Sequence, residues 1–194
     1  MELKVGIMGS SGGRITERNR RTAHLLGRAI AQAGCVAITG ACPGLPLEAA
    51  RGAKEAGGLV VGISPGLSLW EHVNKYKSPT EHHDVLIFTG SGLMGREVVN
   101  IRTSDIVVIM GGRSGTLGEF SIAYDEGKLI GVLPRTGGVA AEIKYIVGKI
   151  KKNTGSKIIY ESDPAALVEK LIKYYSEKHF RRPSCFCGEV MAEA

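Results

Sequence analysis

The sequence predicts an α/β fold, a doubly wound, mostly parallel, Rossmann-like sheet of about seven strands with helices on both faces. Short β-rich runs recur along the chain with helical periodicity between them, an alternation that favours right-handed crossovers between parallel strands. The runs are apolar throughout, as in Ile106-Val-Val-Ile-Met110, which suits strands covered on both faces. Four of the connections are rich in glycine, at 9–13, 40–44, 90–92 and 111–115, where a strand must turn tightly into the next segment.

Taken in order, Lys4 to Met8 reads as the first strand, broken by Gly9-Ser-Ser-Gly-Gly13. A helix follows, with Thr16 as its N-cap, Ala23, Leu26, Ile30 and Ala33 on one face, and Gly34 as its stop. Cys35 to Thr39 is the second strand, and Leu47 to Ala56 an alanine-rich helix closed by Gly57-Gly58. Leu59 to Ile63 is the third strand. The segment from Ser64 to Thr80, with Pro65, Gly66, Pro79 and the lone Trp70, lacks periodicity and reads as a long loop with room for a helical turn.

Asp84 to Phe88 is the fourth strand, and the helix from Gly90 to Thr103 turns Leu93, Met94, Val98 and Ile101 towards a core, with Arg96 between them. The fifth strand, Asp105 to Met110, runs through a glycine turn into a helix from Thr116 to Glu126, stopped by Gly127. Leu129 to Leu133, a loop to Gly138, a helix to Ile150, a strand at Ile158 to Tyr160 and a helix from Pro164 to Lys178 complete the pattern. Residues 1–178 are therefore expected to form one nucleotide-binding domain and 179–194 a C-terminal tail.

Composition narrows the function. Of 194 residues, 43% are hydrophobic and 23% charged, and no window has the roughly 20 apolar residues of a membrane span. The N-terminus enters a strand directly, without a secretory signal, so a cytoplasmic protein is expected. Cys35, Cys42, Cys185 and Cys187 are too scattered for a disulfide framework and read as reduced thiols. The net charge of +6 suits small anionic ligands; Arg14, Arg18, Arg20 and Arg21 either clamp a phosphate or form a solvated helix start. Arg181 and Arg182, like Lys149, Lys151 and Lys152, read as solvated.

The stretch Met110-Gly-Gly-Arg-Ser-Gly-Thr-Leu-Gly-Glu119 carries the chemistry. Its glycines let a ligand approach the backbone, and the helix it opens offers unpaired N–H groups and a positive dipole end to an anion. The alternative is a tight strand-to-helix connection with no ligand. Loops leaving the carboxyl ends of parallel strands gather at one edge of the sheet, so Gly9, Ser10, Ser11, Gly40, Gly44, Gly111, Gly112, Ser114, Gly115 and Thr116 are the expected phosphate- and nucleotide-binding residues. No Gly-x-x-x-x-Gly-Lys-Ser/Thr or Gly-x-Gly-x-x-Gly occurs, which argues against ATP hydrolysis and hydride transfer. His82-His83 begins a strand and points two ways, and Cys185-x-Cys187 lacks a second ligand pair, so neither metal nor cofactor is expected.

Gly9-Ser-Ser, Thr39-Gly-Ala-Cys-Pro-Gly-Leu45, Arg96 and Gly-Gly-Arg-Ser-Gly-Thr-Leu-Gly-Glu119 together resemble the Lonely-guy family, once labelled lysine-decarboxylase-like, and its wider group of Rossmann nucleotide-binding proteins. The likeness covers roughly residues 4–135. It implies a phosphoribohydrolase that cleaves the N-glycosidic bond of nucleoside 5′-monophosphates, with Glu119 and Arg96 as catalytic residues, in a homo-oligomer, either dimer or tetramer. Gly111, Arg113 and Glu97 depart from that family's proline, second glycine and lysine, and resemble a branch close to molybdenum-cofactor carriers, for which the ligand is pterin-type. DNA-processing protein A shares the wider fold, but the missing extra domain and 6% aromatic content argue against nucleic acid.

Overall fold

The computed structural model describes residues 2–179. Its seven strands are β1 (Lys4–Gly9), β2 (Val36–Thr39), β3 (Val60–Ser64), β4 (Val85–Phe88), β5 (Ile106–Met110), β6 (Leu129–Leu133) and β7 (Lys157–Tyr160). Every pairing is parallel, in the order β4-β3-β2-β1-β5-β6-β7. Five helices lie between them, α1 (Glu17–Gln32), α2 (Leu45–Glu55), α3 (Gly92–Thr103), α4 (Ser114–Asp125) and α5 (Gly138–Ile150), and α6 (Pro164–Tyr174) follows β7. The expected α/β Rossmann-like sheet is the one observed.

Alternation within the strands divides the core between the two faces. Ile106, Val108 and Met110 of β5 pack with Leu26, Ala49, Ala53 and Leu167 from α1, α2 and α6. Val107 and Ile109 turn the other way, to Ile101, Phe120 and Ile143 from α3, α4 and α5. A strand sandwiched like this has no solvent face, which is why its sequence shows no polar alternation.

Capping explains where several helices begin. The Thr16 side chain accepts from the Asn19 N–H at 3.2 Å, and Asp163 caps α6 through the Ala166 N–H at 2.8 Å, ahead of Pro164. α2 starts at Leu45, two residues before the apolar spacing suggests, because Pro46 fits its first turn. α4 likewise begins at Ser114 rather than Thr116, which moves Ser114 and Gly115 from the loop into the helix. A helical turn, Glu71–Lys75, interrupts the long connection after β3. Among the described residues no helix is long and apolar enough to cross a membrane. Cys185, Cys187, Arg181 and Arg182 lie outside the described residues.

Candidate functional site

Strand order reverses at β1, which lies between β2 and β5, so the chain leaves the two neighbours β1 and β5 towards opposite faces of the sheet. Gly9 pairs with Met110, so both connections leave at the same level. Divergence at such a point opens a crevice beyond the carboxyl ends of the strands. Here it is a cavity of about 590 Å³, within the usual range for small-molecule sites.

One wall comes from the β5–α4 turn. Gly111 and Gly112 take φ of 56° and 98°, in the left-handed region, and a Cβ on Gly112 would lie 2.5 Å from the Thr116 side chain. Their main-chain groups are used internally. The Gly111 N–H donates to Thr136 Oγ1 and the Gly112 N–H to Ser10 Oγ, both at 2.7 Å. Their carbonyls accept from the Ala140 and Val139 N–H groups at 2.9 and 3.1 Å. The Leu117 N–H then makes the first intrahelical bond of α4, to the Arg113 carbonyl at 2.9 Å, and among the described residues no side chain caps this helix. The N–H groups of Ser114, Gly115 and Thr116 precede that bond and face the end of the helix. This is an anion-binding geometry.

The opposite wall is made of side chains from α3. Arg96 reaches across the β2 connection; a Cβ on Gly40 would lie 1.9 Å from Arg96 Nη1, so glycine there leaves space for the guanidinium. Arg96 Nη1 stands 3.7 Å from Glu119 Oε1, an ion pair beyond hydrogen-bond reach, with side chains only 8% and 9% exposed. Burial pushes the Glu119 carboxyl up to about 7; Arg96 opposes the shift, Glu97 adds to it and Asn100 opposes it. Glu97 is also raised by burial, against the pull of Arg96. Among the described residues, Arg96 Nε, Glu97 Oε2 and Asn100 Oδ1 are buried without a hydrogen-bond partner. Three polar atoms in that state on one helix make an unfinished network, which a ligand or water completes.

The structure thus places most of the expected residues on one cavity. Gly9, Ser10 and Ser11 come from the β1 connection, Gly40 from that of β2, Arg96 from α3, and Ser114, Gly115, Thr116 and Glu119 from α4. Gly44, Gly111 and Gly112 sit behind the wall instead. Gly44 is pressed against the Ser10 carbonyl, and the N–H groups of the other two are engaged as described.

Spacing did not single out Glu97, Cys42 or Arg113, which also line the cavity. Burial pushes the Cys42 thiol up to about 11, which favours the protonated form near neutral pH. The guanidinium of Arg113, rather than the arginines of α1, lies by the β1 connection, about 3.5 Å from the Cβ position of Gly12. Arg20 pairs with Glu48 at 3.3 Å. Of the two histidines, His83 meets Thr39 Oγ1 at 3.0 Å and His82 is exposed.

Comparison with known proteins agrees with this fold. An uncharacterised protein of Archaeoglobus fulgidus is 34% identical over 131 residues, which is 68% of this chain and 80% of that one. The X-ray structure of TM1055, a structural genomics target, superposes with a TM-score of 0.76 at 28% identity, covering 88% of this chain and 98% of that one. The molybdenum cofactor binding protein of Rippkaea orientalis gives 0.74 at 28% identity, covering 91% and 98%. DNA processing protein A of Helicobacter pylori, at 20% identity and 0.62, shares the fold; 88% of this chain and 80% of that one align. The model of the SLOG cluster4 family matches residues 2–168, nearly the whole described chain. With the family model matched over that length and the same parallel sheet in the solved neighbours, the chain belongs to the SLOG cluster4 family.

Proposed function

We propose that the cavity binds a phosphorylated small molecule of nucleoside 5′-monophosphate type. One observation carries the reading: Gly111 and Gly112 have their N–H groups engaged internally, while the first three N–H groups of α4, at Ser114, Gly115 and Thr116, stay open beside a buried Arg96–Glu119 pair. The phosphate sits at the start of α4, within reach of Ser11 and the Arg113 guanidinium on the same cavity wall.

The sugar and base then extend towards Arg96 and Glu119, an arrangement suited to hydrolysis of the N-glycosidic bond. With a carboxyl held near 7, Glu119 is partly protonated at neutral pH. It donates that proton to the departing base nitrogen as the bond to C1′ breaks. Water adds its oxygen to C1′ and returns a proton to the carboxylate, leaving free base and ribose 5-phosphate. Arg96 stabilises the carboxylate between those steps. A panel of nucleoside monophosphates incubated with the full chain is expected to release base, and Glu119→Ala to lower the rate at least about 100-fold. Intact nucleotides at high protein concentration would leave binding without turnover.

A second reading is favoured by the likeness to the molybdenum cofactor binding protein: the chain carries a pterin-type ligand without changing it. Mass spectrometry of the native protein and thermal shift with pterins test it, and a pterin bound more tightly than any nucleotide would establish it.

The reading includes a homo-oligomer. Trp70 is 68% and Met94 74% exposed, and Val85 and Ile87 of the edge strand β4 also face solvent. A second copy covers these side chains, and light scattering is expected to give a dimer or tetramer.

A further inference from the structure

Glu97 follows Arg96 on α3, lines the cavity and is only 6% exposed, and its Oε2 has no hydrogen-bond partner among the described residues. The Arg96 guanidinium is directed at Glu119. Nor is the Glu97 carboxyl displaced to solvent: its two oxygens lie against α4, 3.3 Å from the Cβ position of Gly115 and 3.1 Å from that of Gly118. Those glycines, three apart on one helical face, leave the first turn of α4 bare where the carboxyl packs.

A buried acceptor without a donor is costly, and an acid beside an anion site repels a second anion. The group that meets Glu97 in the bound state must therefore bring N–H or O–H donors. Its distance from the phosphate narrows the choice. Residues 115 to 118 climb about 4.5 Å along the helix axis, so the carboxyl lies within about one turn of an anion held at the helix end. In a nucleoside 5′-monophosphate the pentose occupies that distance, and its hydroxyls are the donors there; the base lies beyond.

We infer that Glu97 is the specificity-determining residue that accepts the ribose 2′-hydroxyl, and that it selects ribonucleotides over 2′-deoxyribonucleotides. This rests on the nucleotide reading of the same cavity. A carboxyl accepts from hydroxyls in either protonation state, so the selection operates on both sides of neutrality.

The test is calorimetric binding of AMP against 2′-deoxy-AMP, and GMP against 2′-deoxy-GMP, to the full chain, with ribose 5-phosphate as a base-free control. Wild type is expected to favour each ribonucleotide by roughly tenfold or more, as for a site whose acceptor loses its donor. In Glu97→Ala that preference should fall towards unity, because only the ribonucleotide loses a contact; a residue that merely supports the fold would weaken both members of a pair alike. Glu97→Gln, of equal volume, retains one carbonyl acceptor and should show an intermediate preference, which keeps the test intact if the alanine variant misfolds. Equal binding of ribo- and deoxyribonucleotide by wild type would overturn the inference and leave the nucleotide site standing, as would full preference in Glu97→Ala. No binding of any nucleotide or of ribose 5-phosphate would overturn both.

Discussion

The two walls of the cavity solve different problems with different atoms. On the β5–α4 side, polarity comes from the main chain: Gly111 and Gly112 are locked by Thr136 and Ser10, and the first residues of α4, whose N–H groups precede its first intrahelical bond, line the crevice. On the α3 side it comes from side chains: Arg96, Glu97 and Asn100 are buried, each with a polar atom lacking a partner among the described residues, and Glu119 of α4 stands opposite them, paired with Arg96. The main-chain wall is rigid and has fixed partial charges, whatever the pH. The side-chain wall can change its protonation, so the recognition of anions and the response to pH are carried by separate parts of one site.

The largest effect that separates them is the pH dependence of stability. The Glu119 carboxyl is held at about 7 when folded, against 4.5 for the unconstrained group, so between those values the folded state binds its proton more tightly. The stability this supplies is fully present below about pH 4.5 and is lost as pH rises through about 7, a change on the order of 3 kcal/mol. Urea denaturation from pH 4.5 to 8 should show this decline in wild type and much less of it in Glu119→Gln. A wild-type curve flat over that range would mean that the side-chain wall is not electrostatically strained.

Next comes the main-chain wall. Gly112→Ala meets both a φ of 98° and a 2.5 Å approach to Thr116, so a loss of about 1–3 kcal/mol is expected at every pH, along with weaker phosphate binding. Thermal denaturation at pH 5 and pH 8 checks that the two losses match. The smallest effect on stability belongs to Gly40→Ala. The new methyl meets only the far end of Arg96, which can swing aside, so a cost of about 1 kcal/mol is expected. Moving Arg96 removes the positive charge that holds the Glu119 carboxyl down, so the pH window of Glu119 should shift upwards. An unchanged window would show that Arg96 is not coupled to Glu119.

This contrast also explains what could be read in advance. The strands were legible because burial on both faces leaves continuous apolar runs, and the main-chain wall because glycine marks left-handed backbone; Gly111 and Gly112 are the clearest case. Their task was less legible. Sequence suggested that they contact the ligand, whereas their N–H groups are engaged by Ser10 and Thr136, from connections on either side of β5 in the sheet. Glu97 drew notice only as a departure from the lysine of the Lonely-guy pattern. Its place next to Arg96 and one turn before Asn100 was a signal, but solvent-facing helices carry such trios as well.

By itself the sequence determined the α/β class, the elements in their order and the glycine turn with its following helix, because each is set by local periodicity, φ and capping. Tertiary structure decided the strand order, and with it the reversal at β1 that puts the β1 and β5 connections on either side of one crevice. It also decided the burial of Arg96, Glu97 and Glu119. A carboxyl's proton affinity depends on the water and charges around it, and it is the tertiary packing of α3 against α4 that buries these carboxyls together.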